Sequence, residues 1–286
     1  MPDPFAWKIR PTDEADLDLV LGLLDAARWR HQHLDWASAR DFVDSGRCLL
    51  ATERGLPLAC LACPSDPPGV AWIRLFAVAS GYRAREVWRI MWPRAADAAR
   101  QEGTHLVAAL SLNRWLPPIL TDSGFRETNA VLFLEWSGAH LPDVATAPGR
   151  IRRLEESDIP GVLAVDQRAF APLWRHSEEA ILLALAQASL ATVVDWDGKL
   201  VAYQISTSSP FGSHLARLAV DPAYQHRGIG RALAVSVLDH FKRQGVERVT
   251  VNTQQDNLPS QSLYRHLGFR ETGQVFPVYQ ADLPPA

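Results

Sequence analysis

Between Leu218 and Arg231 the chain reads Leu218-Ala219-Val220-Asp221-Pro222-Ala223-Tyr224-Gln225-His226-Arg227-Gly228-Ile229-Gly230-Arg231. An apolar strand ends at Asp-Pro, a short loop follows, and two glycines stand where a helical pattern begins. Glycine lets backbone N–H groups approach a ligand with no Cβ in the way. A helix N-terminus adds unpaired donors and a partial positive charge. Together they form an anion cradle suited to a pyrophosphate, to which His226, Arg227 and Arg231 can add side-chain donors. A tight strand-to-helix turn needs the same glycines, so the loop alone leaves both readings open.

Other chemistry-bearing groups are thinner. Cys60-Leu61-Ala62-Cys63 is a single C-x-x-C with no second pair, which reads as small apolar residues in a buried strand rather than a zinc half-site. His31-Gln32-His33 has no third or fourth ligand nearby, so no metal is expected. Three cysteines in 286 residues, none beyond Cys63, exclude a cysteine acyl-enzyme in the second half and fit a reduced, cytoplasmic setting. A net charge of −3 argues against bulk nucleic-acid or anionic-membrane binding. Met1 to Asp18 lacks the apolar core of a signal peptide, and the greasiest run, Ile181 to Val194, is too short to span a bilayer.

The elements that must position the loop come from a repeat. Ile9-Arg10-Pro11-Thr12-Asp13-Glu14-Ala15-Asp16 is echoed by Ile151-Arg152-Arg153-Leu154-Glu155-Glu156-Ser157-Asp158, and Gly124-Phe125-Arg126-Glu127-Thr128 recurs letter for letter as Gly268-Phe269-Arg270-Glu271-Thr272. Between them Arg54-Gly55 parallels Asp197-Gly198, each the turn of an expected hairpin. Landmarks in one order at nearly one spacing imply a tandem duplication. The expected domains are residues 1–138 and 150–286, joined by a breaker-rich linker at 139–149. In the second, the pattern predicts a strand at Ile151–Leu154, a helix capped by Ser157-Asp158, and a helix over Glu178–Ala188. Strands follow at Leu190–Val194, Leu200–Ser206 and His214–Val220, then a helix from Ile229 to Gly245. A strand at Val246–Asn252, a helix at Ser260–Leu267 and a strand at Val275–Tyr279 complete a mixed α/β architecture.

Gln225-x-x-Gly228-x-Gly230 after a strand ending Val-Asp-Pro resembles the acetyl-CoA loop of the GNAT superfamily of N-acetyltransferases. About 30 residues on, Asn257, Leu263-Tyr264 and Gly268-Phe269 resemble that family's second signature. The resemblance extends over essentially all of residues 150–286. It implies two tandem GNAT-like domains with acetyl-CoA as cosubstrate, its pyrophosphate held by backbone amides of His226, Arg227, Gly228, Ile229, Gly230 and Arg231. It further implies main-chain pairing of Leu218, Ala219 and Val220 with the pantetheine arm, a hydrogen bond from Asn257, and Tyr264 as general acid toward the thiolate. A structural tyrosine packed on the core is the alternative for Tyr264. For the base, His214 stands where some members carry a glutamate, while Asn252 occupies another family site and cannot accept a proton. A hydrogen-bonded structural histidine and deprotonation through water stay open beside it.

The first half departs from this pattern. An ungapped alignment of the motif strand and loop puts Arg83 at Gln225, Glu86 at Gly228 and Trp88 at Gly230; two residues out of that register, Asn113 matches Asn257 but Leu120 answers Tyr264. A carboxylate and an indole stand where phosphates would enter, so residues 1–138 are expected to lack the cofactor site. The functional expectation is acetyl transfer from acetyl-CoA to a primary amine, small-molecule or peptide, by direct attack in a ternary complex. Phe170–His176 and Ser206–Ser213 would flank the acceptor. The rival is a non-catalytic acyl-CoA sensor or scaffold.

Overall fold

In the computed structural model, residues 7–138, 141 and 149–284 are described; the expected linker at 139–149 lies almost wholly outside them. The chain forms two compact units, Met1–Thr128 with Pro277–Ala286, and Asn129–Phe276. Among the described residues no helix is long and apolar enough to cross a membrane.

The first unit contains β1 (Trp7–Pro11), α1 (Leu17–Ala26), β2 (Trp29–Gln32), α2 (Ala39–Asp44), β3 (Cys48–Glu53), β4 (Leu56–Ala62), β5 (Val70–Trp72), β6 (Leu75–Val78), α3 (Ala84–Gln101), β7 (Leu106–Leu110) and α4 (Leu116–Asp122). Strands run β1-β3-β4-β6-β2 in an antiparallel sheet, and β5 pairs parallel with β7. Met91, Val87 and Trp88 of α3 sit in the core with Phe76, Leu61 and Phe125.

Leading into the second unit, β8 (Arg126–Trp136) is followed by β9 (Arg150–Arg153), α5 (Ile159–Ala169), α6 (Glu178–Ala186), β10 (Leu190–Trp196), β11 (Lys199–Ser209), β12 (Gly212–Val220), α7 (Ile229–Arg243), β13 (Val249–Gln254), α8 (Leu258–His266) and β14 (Arg270–Asp282). Strands β9 to β12 form an antiparallel run. β12 pairs parallel with β13 only from Ser213↔Val249 to Leu215↔Val251. Beyond Leu215 the ladder stops, leaving the β13-facing edge of Ala216–Val220 unpaired by that strand.

The compact units differ from the sequence repeats at their last strands. Residues 131–136 of β8 pair antiparallel along all of β13, burying Leu134 and Trp136 in the core of the second unit. Val278–Asp282 of β14 pair with β7, and Tyr279 and Leu283 join the core of the first. Each unit is thus completed by a strand from the other repeat.

The repeat is visible in three dimensions. Arg10 forks onto Asp16 at 2.5 and 2.7 Å, and Arg152 onto Asp158 at 2.6 and 2.7 Å, the bidentate geometry carboxylates favour. Both hairpin turns have two residues at positive φ, Arg54-Gly55 and Asp197-Gly198, as a two-residue primed turn requires. One expectation is corrected: Asp158 does not cap α5 with its side chain, because its carboxylate is engaged by Arg152 and the Glu155 N–H. β13 also begins three residues later than expected, since the Val246 N–H turns back onto the Phe241 carbonyl to close α7.

Candidate active site

A cavity of about 500 Å³ opens where β12 and β13 diverge, lined by Leu218, Ala219 and Val220 of β12, by Tyr224, Gln225, His226, Gly228, Ile229, Gly230 and Arg231, and by Asn257, Pro259, Ser260 and Leu263 at the start of α8. Ala169 and Phe170, at the end of α5, close one side. Of the twelve residues predicted to contact the cosubstrate, ten line this one space, all but Arg227 and Tyr264.

Local chemistry explains the loop. Asp221 accepts from the Ala223 N–H at 3.0 Å and from Arg168 Nε at 2.7 Å, which fixes the strand end. Gln225 donates from Nε2 to the Val220 carbonyl at 3.0 Å. Gly228 takes φ +82°, a conformation that penalises any residue with a Cβ. Gly230 has ordinary backbone, but a Cβ there would stand 3.6 Å from Val220 and from Leu263, so a larger side chain would fill the cavity. The first α7 bond inward from the loop is Ala232 N–H to the Gly228 carbonyl, leaving the Ile229, Gly230 and Arg231 amides without intrahelical acceptors. These donors, the helix dipole and Arg231 make one end of the cavity attractive to an anion. Arg227 turns away, its guanidinium 5.2 Å from the Trp196 ring centroid and 5.7 Å from that of Tyr224.

Asn257 lines the cavity and also caps α8, its Oδ1 accepting from the Ser260 N–H at 3.2 Å. Tyr264 lies one residue past the lining Leu263, largely buried, with its ring 5.5 Å from that of Phe269. Burial raises its phenol well above the ordinary tyrosine range. His214 sits on the paired stretch of β12, outside the cavity lining. Its Nδ1 is 2.8 Å from Thr250 Oγ1, and that hydroxyl donates to the Ser213 carbonyl at 3.3 Å. With the hydroxyl proton so engaged, the network assigns a proton to Nδ1 and leaves Nε2 as a bare acceptor. Burial pulls the imidazole down to about 4, because desolvation disfavours its cation.

Sequence reasoning missed a buried polar cluster beside the cavity. Asp166 of α5 and Tyr203 of β11 are fully buried, and Asp166 accepts from the Tyr203 hydroxyl and from Arg217. Arg217 also donates to the Trp174 carbonyl at 2.7 Å and stands 3.6 Å over the Phe170 ring, while Asp166 Oδ1 accepts from the His176 N–H at 2.9 Å. The cluster therefore ties Phe170–His176 to the strand that walls the cavity. Its signal was present in the pattern: Asp166 falls on the apolar face of α5 beside Val162 and Val165, where a charge persists only if paired.

In the first unit Trp88 is buried, donating from Nε1 to Ser123 Oγ at 2.8 Å and stacked on Trp92 at 5.2 Å. It stands at the position aligned with Gly230, and Glu86, aligned with Gly228, pairs with Arg83 at 3.5 Å.

Comparison with known proteins places this geometry. The profile of the Acetyltransferase (GNAT) family matches residues 154–269. The [ribosomal protein bS18]-alanine N-acetyltransferase of Escherichia coli (strain K12) is 32% identical over 121 residues, covering 42% of this chain and 80% of that protein. The mycothiol acetyltransferase of Brachybacterium faecium is 31% identical over 176 residues, 54% of this chain and 52% of that one. Among solved structures, a tandem GNAT protein from the clavulanic acid biosynthesis pathway superposes with a TM-score of 0.66 at 16% identity, covering 98% of this chain and 99% of that chain. The fold is that of two tandem GNAT-like domains, and the chain belongs to the GNAT family of acetyltransferases.

Proposed function

We propose that the second unit transfers an acetyl group from acetyl-CoA to a primary amine by direct attack within a ternary complex. The observation that carries this reading is the divergence of β12 from β13 beside a helix whose first amides point into the same cavity. An acyl-CoA fits both features: its pyrophosphate meets the Ile229, Gly230 and Arg231 amides, and its amide-bearing arm meets the unpaired edge around Leu218 and Val220. Asn257 adds a side-chain donor midway.

In this reading His214 Nε2 accepts the proton from the attacking ammonium, directly or through one water, and the freed nitrogen lone pair forms the new C–N bond. The nitrogen, cationic once bonded, loses a second proton to solvent; collapse of the tetrahedral intermediate breaks the C–S bond, and the sulfur takes a proton from Tyr264, whose phenol solvent then restores. The raised phenol keeps its proton at every working pH, so Tyr264 acts first as a hydrogen-bond donor to developing charge. Acceptor selection falls to Phe170–His176, held by the Asp166–Arg217 cluster, and to Ser206–Ser213. The relatives are named for a ribosomal-protein alanine and for mycothiol, so a peptide with N-terminal alanine and small primary amines belong in one acceptor screen.

Titration of acetyl-CoA into the full chain, followed by calorimetry, tests the reading. One site per chain, abolished by Gly228→Glu, is expected. Two sites would show that Glu86 and Trp88 do not close the first unit, and no binding would overturn the assignment of the cavity.

A further inference from the structure

The first unit keeps a cavity of its own. It measures about 560 Å³ and is walled by Trp29, Trp115 and Tyr82, with Arg28, Arg83 and Arg85 around it. The two indoles meet edge to face at 5.7 Å. The Tyr82 ring is fixed by its hydroxyl, which donates to Glu53 at 2.7 Å. These three rings are held in place by the core, so they present flat apolar surface without an ordering cost on binding.

The charge at the opening is cationic but limited. Arg83 pairs with Glu86 at 3.5 Å and Arg85 with Asp122 at 2.5 Å, all four side chains being two-fifths exposed or more. Exposed pairs of this kind contribute little, so either arginine can exchange its carboxylate for a ligand anion. Arg28 has no acidic partner among the described residues and lies 5.3 Å over the Trp29 ring. The lining carries three arginines, two of them already paired with carboxylates that lie outside it, which suits one anionic group rather than a diphosphate. The first turn of α3 also carries Glu86, whose carboxylate disfavours a second anionic charge there.

We propose that this cavity is a ligand site separate from the α7 cavity, and that it takes an aromatic ring bearing a single anionic group, the ring packed against the wall of Trp29, Trp115 and Tyr82 and the anion on Arg28 and Arg83. The inference does not rest on acetyl transfer by the second unit. Adenosine 5′-monophosphate is a suitable probe, with adenosine and ribose 5-phosphate as fragments that lack the anion or the ring. Calorimetry is run on the full chain with and without saturating coenzyme A, so that occupancy of the α7 cavity is separated from that of the first unit. One site for the monophosphate that persists with coenzyme A present is expected, with each fragment at least about tenfold weaker. Arg28→Ala with Arg83→Ala, both surface positions, should weaken the monophosphate about tenfold or more. Absence of binding at millimolar probe, loss of the site when coenzyme A is added, or indifference to the double substitution would each overturn the proposal.

Discussion

Residues 150–286 contain every sequence landmark of the second repeat, and the structure predicts that they do not fold alone. Cutting there removes residues 131–136 of β8, which pair with β13 along its whole length. Leu132, Leu134 and Trp136 are 9%, 0% and 2% exposed in the core of that unit. Burial contributes about 1.5–3 kcal/mol for each leucine and about 4–6 kcal/mol for an indole covering 150–250 Å². The loss is on the order of 10 kcal/mol, an upper estimate, before any ladder hydrogen bond is counted. A domain has only about 5–15 kcal/mol in total, and an uncovered β13 edge invites association. Urea denaturation followed by circular dichroism should show no cooperative transition for 150–286. A fragment spanning 129–276, shorter by ten residues at its end, should show one. Should 150–286 unfold cooperatively and bind acetyl-CoA as the full chain does, the pairing of β8 with β13 would not be what holds the unit together.

Tyr264→Phe should lower kcat by about 10²-fold with the acetyl-CoA Kd nearly unchanged; equal turnover would remove the phenol from the reaction. His214→Gln should lower kcat similarly, and Thr250→Val should lower it less by freeing the imidazole tautomer. Because burial holds His214 near 4 and the reacting amine arrives as the ammonium, the acid limb of kcat/KM in the parent should fall near 4, where His214 takes up a proton, rather than near 6.5. Tyr203→Phe, which removes one donor from Asp166, should cost about 1–2 kcal/mol of stability and raise the acceptor KM while leaving the acetyl-CoA KM in place; parallel changes in both would mean the cluster is only structural. His31 is fully buried and held down to about 4 by desolvation. The unfolded chain binds its proton first, so His31 contributes full stability above about pH 6.5 and loses it as pH falls toward 4, about 3 kcal/mol in all. Urea midpoints across that window should fall in the parent and fall less in His31→Gln.

Much of the site was readable because its chemistry demands particular residues. A positive φ at Gly228 and an open space beside Gly230 leave glycine as the residue that fits, so the loop announces itself. Asn257 was readable for a mixed reason, since it both caps α8 and faces the cavity. The hairpin turns and the Arg-to-Asp forks were legible twice over, once in each repeat. Three things were not. Pairing partners of β8 and β14 are long-range choices between two similar edges, and alternating apolar patterns such as Leu132-Phe133-Leu134 do not state which edge they cover. Asp166 and Arg217 lie 51 residues apart, and each taken alone looks like an error in an apolar face. The wall formed by Trp29, Trp115 and Tyr82 joins residues from three separate segments, and the eight tryptophans that the sequence places in residues 1–138 say nothing about which of them face a cavity.

The exchange of last strands also sets an order of manufacture. On the ribosome, the unit defined by residues 129–276 has all its segments in hand as soon as residue 276 has emerged. The unit that began emerging first has to wait, its β7 edge open, for Val278–Asp282 at the far end of the chain. At roughly 5–20 residues per second, the interval from Thr128 to those last residues is on the order of ten to thirty seconds. Throughout it the earlier-made portion is an unfinished sheet. Chaperone demand during synthesis should therefore concentrate on the first half of the chain, and a stop codon just before Pro277 should strand that half unfinished while sparing the half that was translated last.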